Sequence, residues 1–357
     1  MKTLFCYYLP SGGMETLNRQ REKSLKIVNI NTHFLYLQSG SGMKNLLDSK
    51  VFISNDNGEI KTLIKNERYD AIIVNSDANL LKRIRSFGFN GPLIFELQGL
   101  GTKSEANTFL KYVARANIEN YSDALLYPKT PHLQQLTKEI FPNKKKFSFH
   151  NCIDTNVFSY KHKQQVEQYN YIIGWVGRIE KNKNWQDCLM IVNHLLQEFP
   201  NLELWMFIDD TLTTPSQKKA FEQKLRQLSM EKMVKMHHNI PHAEMPNYYS
   251  TIADSGGFVL STSLTEGFGY AVLEAMSCKC PVLTSNSDGV QSFVFHNVTG
   301  KLYTHSNYSQ AVNEARDLIL NTTLRNKLTE HSAAFVKENF SLKQYANHFQ
   351  AMLTELF

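Results

Sequence analysis

A chain of 357 residues, 42% of them hydrophobic and 20% charged, is long for one core and too apolar for a disordered chain, so two folded domains are expected. The net charge of +6 favours anionic partners, either small molecules or an acidic membrane surface, and lacks the clustering of a nucleic-acid binder. Five cysteines, an odd number at spacings unlike a disulfide framework, point to buried thiols in a reducing cytoplasm; neither a leader peptide nor an apolar run of spanning length is expected.

The first half alternates short apolar runs with amphipathic stretches. Strands are expected at residues 4–9, 71–74, 93–97, 124–127 and 147–149, with a helix over 105–121. The segment 27–54 should hold further strands whose limits the pattern does not define. Such alternation predicts a parallel sheet with helices on both faces. Lys144, Lys145 and Lys146 read as a solvated loop, with contact to lipid headgroups as the alternative. Residues 154–170 turn polar and read as a linker. A second series of strands follows, at 171–176, 202–208, 234–237, 258–261 and 282–284, and the chain after residue 300 reads as mostly helical.

The most informative stretch is residues 260–285. A buried strand leads into a loop carrying Gly267 and Gly269, then a helix over 270–277, then another strand. Free backbone N–H groups and the helix dipole make such a turn an anion site. Glu266 and Glu274 flank it, eight residues apart. A carboxylate there would repel a phosphate but suits hydroxyls on either side of one. The string E-G-F-G-x-x-x-L-E-A-M-x-C-x-x-P-V, beginning at Glu266, resembles the signature of glycosyltransferase family 4, retaining enzymes of GT-B fold that use nucleotide sugars. The resemblance implies an α/β fold of two Rossmann-like domains facing across a cleft. The acceptor-side domain would span residues 1–155, with helix 342–357 packing back on it, and the nucleotide-sugar domain 156–341.

Other segments extend the resemblance. Gly12 and Gly13 follow the first strand, open a helix, and match the family's G-G-x-E loop, which implies contact with phosphate or acceptor. Gly177, Arg178 and Lys183 match G-R-x-x-x-x-K-G: a guanidinium grips phosphate oxygens bidentately and a lysine reaches them as a point charge. Asn184 stands where the family has glycine, and asparagine tolerates the left-handed backbone such a turn needs. Asn151 and Asp154 match the hinge motif N-G-x-D, with Cys152 in the glycine's place. Asn239 and Ile240 stand where the family reads the base through backbone groups, consistent with uracil. Three further departures bear on donor and acceptor. Gln98 replaces a histidine that contacts the donor sugar, so acid–base chemistry is lost there while hydrogen bonding is kept, and nearby Glu96 either substitutes for it or simply lies in the strand. Asp209-Asp210 replaces a glycine-rich turn, and Ser292 stands near a missing glutamate.

The expectation is therefore a hexosyltransferase that moves sugar with retention from a nucleoside diphosphate, UDP-linked, to a hydroxyl of a glycan, a lipid-linked acceptor or a small metabolite. Arg178, Lys183 and Glu266 carry the catalytic roles. Gly12, Gly13, Gln98, Asn239, Ile240, Gly267, Phe268, Gly269 and Glu274 bind the donor, with Glu274 on the ribose. No metal is expected, since cationic side chains replace it and Asp-x-Asp is missing from the chain. Location would be cytoplasmic, with peripheral membrane contact left open. The alternatives are a non-catalytic carbohydrate- or partner-binding relative, in which Gln98 and the altered loops are decay, and a nucleotide-sugar epimerase or phosphorylase on the same fold.

Overall fold

The computed structural model describes residues 1–44, 48–161, 170–209 and 213–357. Residues 162–169 of the expected linker, and Asp210 of the Asp209-Asp210 turn, lie outside the described residues. The chain divides into two compact units, Met1–Asp154 with Asn339–Phe357, and Thr155–Glu338.

The first unit is built on a seven-stranded sheet formed by β1 (Lys2–Tyr7), β2 (Asn31–Tyr36), β3 (Val51–Ile53), β4 (Ala71–Asn75), β5 (Leu93–Glu96), β6 (Ala124–Tyr127) and β7 (Lys145–Ser148), in spatial order β3-β2-β1-β4-β5-β6-β7. Every pairing is parallel. The strands read as continuous apolar runs because both faces are covered. Leu4, Cys6, Ile72, Val74, Leu93 and Phe95 point into one core, while Phe5, Ala71, Ile73 and Ile94 point into the other. The second face is closed by helices Gly12–Lys26 and Leu342–Leu356, where Phe349 packs against Phe5 at 5.7 Å between ring centroids. Ser24 Oγ donates to the Leu342 carbonyl at 2.5 Å, so the last helix of the chain is fastened to the first.

The second unit carries β8 (Ile172–Val176), β9 (Glu203–Ile208), β10 (Val234–His238), β11 (Phe258–Ser261), β12 (Val282–Ser285) and β13 (Lys301–Tyr303), in spatial order β10-β9-β8-β11-β12-β13, again wholly parallel. Its main core gathers Ile173, Trp175, Leu204, Met206, Phe258, Leu260 and Leu283 from the strands and Leu189, Val192 and Leu318 from the helices.

The structure departs from the sequence reading in four places, each with a local cause. β1 ends at Tyr7 rather than residue 9, just ahead of the turn through Pro10. Lys145 and Lys146 do not lie in a loop but in the edge strand β7; Lys146 Nζ donates to the Pro142 and Lys144 carbonyls, Lys144 Nζ caps the Ser122 carbonyl, and lysine is a common occupant of exposed sheet edges. β13 lies in a stretch read as helical: three residues are too few for a pattern, and its buried Lys301 disguises it, neutralised by Glu314 and Asp317, each at 2.6 Å. The helix over 103–121 contains a π-helical turn at Phe109–Ala114, which periodicity alone does not show. All five cysteines are buried, and none of them is in a disulfide.

Gly257 immediately precedes β11, and a Cβ built there would lie 1.8 Å from the Ile172 carbonyl oxygen, a backbone atom that cannot move without disturbing β8. Gly257→Ala is expected to destabilise the chain by about 3 kcal/mol or more, the upper end for overpacking a fitted interior. Denaturant unfolding checks this, and a midpoint within error of wild type would contradict it.

Candidate functional site

In an open parallel sheet, ligands bind beyond the carboxyl ends of the strands, where the strand order reverses and neighbouring connections leave in opposite directions. In the second unit that point lies between β8 and β11: the chain runs outward from β8 through β9 to β10, then returns to β11 and proceeds through β12 to β13. The loops leaving the carboxyl ends of these two strands are residues 177–184 and 262–269. They hold Arg178, Lys183 and Glu266, with the glycine loop beside them.

The two loops are laced together. Lys183 Nζ meets Glu266 Oε1 at 2.5 Å, and Ser263 Oγ donates to the same oxygen at 2.6 Å. Asn182 is the stronger tie. Its Nδ2 donates to the Thr265 carbonyl, its Oδ1 accepts from both Thr265 N and Thr265 Oγ1, and its carbonyl accepts from Leu264 N. Underneath, Trp175 Nε1 donates to Thr262 Oγ1 at 3.0 Å, and that hydroxyl donates to the Lys183 carbonyl at 2.8 Å. Gly177 makes room, since a Cβ there would lie 2.9 Å from the Trp175 ring and 3.1 Å from Lys183 Cγ. Asn184 adopts φ 50, ψ 50 and starts the helix Trp185–Leu196, so the turn the family makes with glycine is made here in left-handed conformation by asparagine. Arg178 extends outward, half exposed, with Nη2 3.0 Å from Glu180 Oε1.

Gly269, at φ 92, begins the helix Tyr270–Ser277. Phe268 is buried against Phe293 and Tyr270, which fixes the loop from below. Gly289 packs directly under it, where a Cβ would lie 2.4 Å from the Glu266 carbonyl oxygen. Glu274, one turn into the helix, is buried; its Oε1 lies 2.7 Å from His242 Nε2, and its Oε2 accepts from the Tyr249 hydroxyl at 3.1 Å. Burial, with the charge of Glu274 next in weight, pushes the Tyr249 phenol well above its ordinary range, so it remains a donor. Asn239 is exposed at φ 50 beyond β10, with its N–H on the Ile208 carbonyl, and Ile240 is half-buried beside it.

In the first unit the reversal falls between β1 and β4. Gly12 and Gly13 lie in the connection leaving β1 and are exposed. Gly12 takes φ 57 with open space around a built Cβ, so backbone conformation rather than crowding accounts for glycine there. Gln98, beyond β5, is part of a buried polar cluster. Its Nε2 donates to Glu96 Oε1 at 2.8 Å and to Asn151 Oδ1 at 3.1 Å, and its Oε1 accepts from Asn151 Nδ2 at 2.7 Å. Glu96 is in turn gripped bidentately by Arg21 at 2.7 and 3.0 Å and also accepts from Asn75 Nδ2. Each side chain of the Arg21–Glu96 pair is 1% exposed, which is the arrangement of a structural ion pair. Of the two alternatives for Glu96, the structure fits the one in which it simply lies in the strand, as the last residue of β5 and the partner of Arg21. Cys152 is wholly buried, and Ser292 Oγ bonds the Gly289 carbonyl at 3.2 Å. Among the described residues, no group of three or more His, Cys, Asp or Glu side chains is placed to hold a metal, and no helix is long and apolar enough to cross a membrane.

The sequence model for "Glycosyl transferases group 1" matches residues 158–335. This segment is similar to the group 1 glycosyltransferases. The match spans nearly the whole second unit, including both laced loops. Among curated proteins, the chain is 23% identical over 201 residues to a probable sucrose-phosphate synthase of Thermosipho melanesiensis, covering 55% of this chain and 44% of that one. It is 25% identical over 190 residues to the capsular polysaccharide biosynthesis glycosyltransferase CapM of Staphylococcus aureus, covering 53% and 47%. The chain thus spans less than half the length of these relatives. Among solved structures, it superposes on Anabaena Alr3699/HepE in complex with UDP and glucose, with a TM-score of 0.83 at 18% identity over 100% of both chains. The fold is GT-B: two parallel-sheet α/β domains.

Several residues of this candidate site escaped the sequence reading. Asn182, Ser263 and Thr265 do most of the lacing but are ordinary loop polar residues with no spacing to mark them. His242 and Tyr249 hold Glu274 from 32 and 25 residues away in sequence. Only the proximity of His242 to Asn239-Ile240 pointed in their direction.

The Arg21–Glu96 pair makes a stability test. Arg21→Met leaves Glu96 buried without its cation and is expected to cost about 3–5 kcal/mol, whereas Arg21→Met with Glu96→Leu should recover most of that loss. Denaturant unfolding of the singles and the double checks this. Additive losses in the double variant would contradict it.

Proposed function

We propose that the chain is a retaining glycosyltransferase that moves a hexose from a nucleoside diphosphate sugar, UDP-linked, to an acceptor hydroxyl of a glycan, a lipid-linked sugar or a small metabolite. One observation carries the reading. The loop with the cationic pair and the loop with the carboxylate leave adjacent strands at the reversal point of the second sheet and are bonded to each other there. On this reading the cations serve a diphosphate and the neighbouring carboxylate serves sugar hydroxyls. The UDP and glucose bound in the Anabaena structure support a UDP-sugar donor, and the sucrose-phosphate and capsular-polysaccharide relatives support a carbohydrate product.

The barrier lies in cleaving the anomeric C–O bond as negative charge collects on the departing diphosphate. Arg178, Lys183 and the backbone N–H groups of Gly267, Phe268 and Gly269 stabilise that charge, in an environment partly shielded from water. Glu266, already fixed by Ser263 and Lys183, accepts from hydroxyls of the donor sugar, and Glu274 accepts from the ribose diol. Asn239 and Ile240 present backbone groups to the base. Gly12 and Gly13 contact phosphate or acceptor. Gln98 spends both of its N–H groups on Glu96 and Asn151, so it acts toward a sugar hydroxyl only through the remaining acceptor capacity of Oε1. No metal is assigned a role, and no side chain is assigned as a covalent nucleophile. Retention then follows from attack on the face the diphosphate leaves, with the diphosphate taking the acceptor's proton.

The Arg178→Ala/Lys183→Ala double variant is expected to lower transfer by about 10²–10³-fold or more, the scale for removing donors aimed at a developing anion, while the overall fold, read by circular dichroism, stays intact. Radiolabelled sugar transfer to an acceptor panel, with the anomeric configuration of the product read by NMR, is the measurement. Full activity in the double variant, or an epimerised nucleotide sugar formed without acceptor, would sink the assignment.

A further inference from the structure

Glu274 poses a charge problem. Its side chain is 6% exposed, and neither Lys183 nor Arg178 is its partner: their counter-charges are Glu266 and Glu180. A carboxylate so buried must be met by donors to stay ionised and oriented. Its two hydrogen-bonded neighbours are Tyr249, on Oε2, and His242, on Oε1. Because an ionised carboxylate only accepts, the His242 nitrogen 2.7 Å away must carry a proton, which fixes Nε2 as N–H.

The His242 ring is itself held. It packs against Phe158 at 4.7 Å between centroids, with the planes tilted by 48°. The Phe158 carbonyl accepts from Ser277 Oγ, on the helix that carries Glu274. His242 follows Pro241, whose restricted φ limits the freedom of the turn beyond β10. The ring thus has packing on one side and the carboxylate on the other.

From this we infer that His242 is a positioning residue for ribose recognition: it donates to Glu274 Oε1 and orients the carboxylate so that its unfilled lone pairs accept from a vicinal diol. A carboxylate offers about four acceptor sites. Tyr249 and His242 occupy one on each oxygen, leaving one on each for two adjacent hydroxyls. The inference rests on the reading in which Glu274 faces the ribose, and it adds that discrimination between ribose and deoxyribose depends on a side chain touching neither sugar nor base.

The test compares binding of UDP and 2′-deoxy-UDP by calorimetry in wild type and in His242→Leu, His242→Gln and His242→Asn, each with its melting temperature recorded. Gln can place an amide N–H near the position of Nε2, whereas Asn is too short to reach it and Leu has no donor. Wild type should prefer UDP. The preference should fall by about fivefold or more in the Leu and Asn variants, the loss of one charge-assisted hydrogen bond, and survive in Gln. If the Leu variant does not fold, the Gln and Asn pair gives the same comparison. Parallel weakening of both ligands with the preference intact would show that His242 only packs, and would overturn the inference while leaving the proposed function standing. The same holds if wild type binds UDP but does not discriminate. A wild type that binds no UDP would overturn the UDP-sugar reading and the inference with it.

Discussion

The second unit depends on a tie between two loops rather than on any single catalytic group. Asn182 bonds both backbone and side chain of Thr265, and Lys183 bonds Glu266, across a separation of 83 residues. Loops beyond the carboxyl ends of parallel strands are the most variable and mobile parts of an α/β domain, yet the proposed chemistry needs its charges placed to within fractions of an ångström. Side-chain-to-backbone bonds resolve that conflict, because they fix one loop against the next while Asn182, Lys183 and Glu266 keep partial exposure. Trp175 and Thr262 extend the tie downward into the core, so the position of Lys183 is set by the packing of β8 and β11.

The first unit achieves rigidity differently. Its polar cluster is buried: Arg21, Glu96, Asn75, Gln98 and Asn151 satisfy one another at the carboxyl edge of the sheet. Glu96 accepts from Arg21, Asn75 and Gln98, and the geometry of that set orients the Gln98 amide unambiguously, since a flipped amide would turn its oxygen toward a carboxylate. A residue that looks like a simple loss of a histidine is therefore a fixed part of a network. Its remaining hydrogen-bonding capacity is that of an acceptor.

Most of the fold was legible in the sequence because buried parallel strands announce themselves as apolar runs: β4, β5, β6, β11 and β12 lie within a residue or two of where the runs place them. The failures occur where burial and apolarity part company. β13 carries a buried lysine, β7 carries edge lysines, and β2 mixes polar Asn31, Thr32 and His33 with apolar residues, of which Thr32 and His33 are buried. Of the candidate site, the charged and glycine positions were visible from spacing. Their partners were not. Pairings such as Glu274 with His242 and Tyr249, or Arg21 with Glu96, join residues 25 to 75 apart, and nothing in a local pattern records which distant donor meets which acceptor.

Those partners change how the charges should be understood. Arg178, Lys183 and Glu274 each face a group of opposite or complementary character: Glu180, Glu266 and His242. An isolated charge at partly buried positions such as Lys183, 22% exposed, or Glu266, 14% exposed, would pay desolvation with nothing in return, and the loops would relax to bring water in. Paired, the side chains are held in place before any ligand arrives. For the proposed reaction the consequence is that an arriving diphosphate does not meet a bare positive patch. It must share Lys183 with Glu266, so part of the gain from its charge is spent against an existing bond. Binding of the ground state is tempered, whereas the extra charge that develops as the leaving group departs meets donors already aimed. That difference between ground state and transition state is what accelerates a reaction, and in the proposed reaction it would come from an ion pair that looks, in the free protein, like ordinary structural glue.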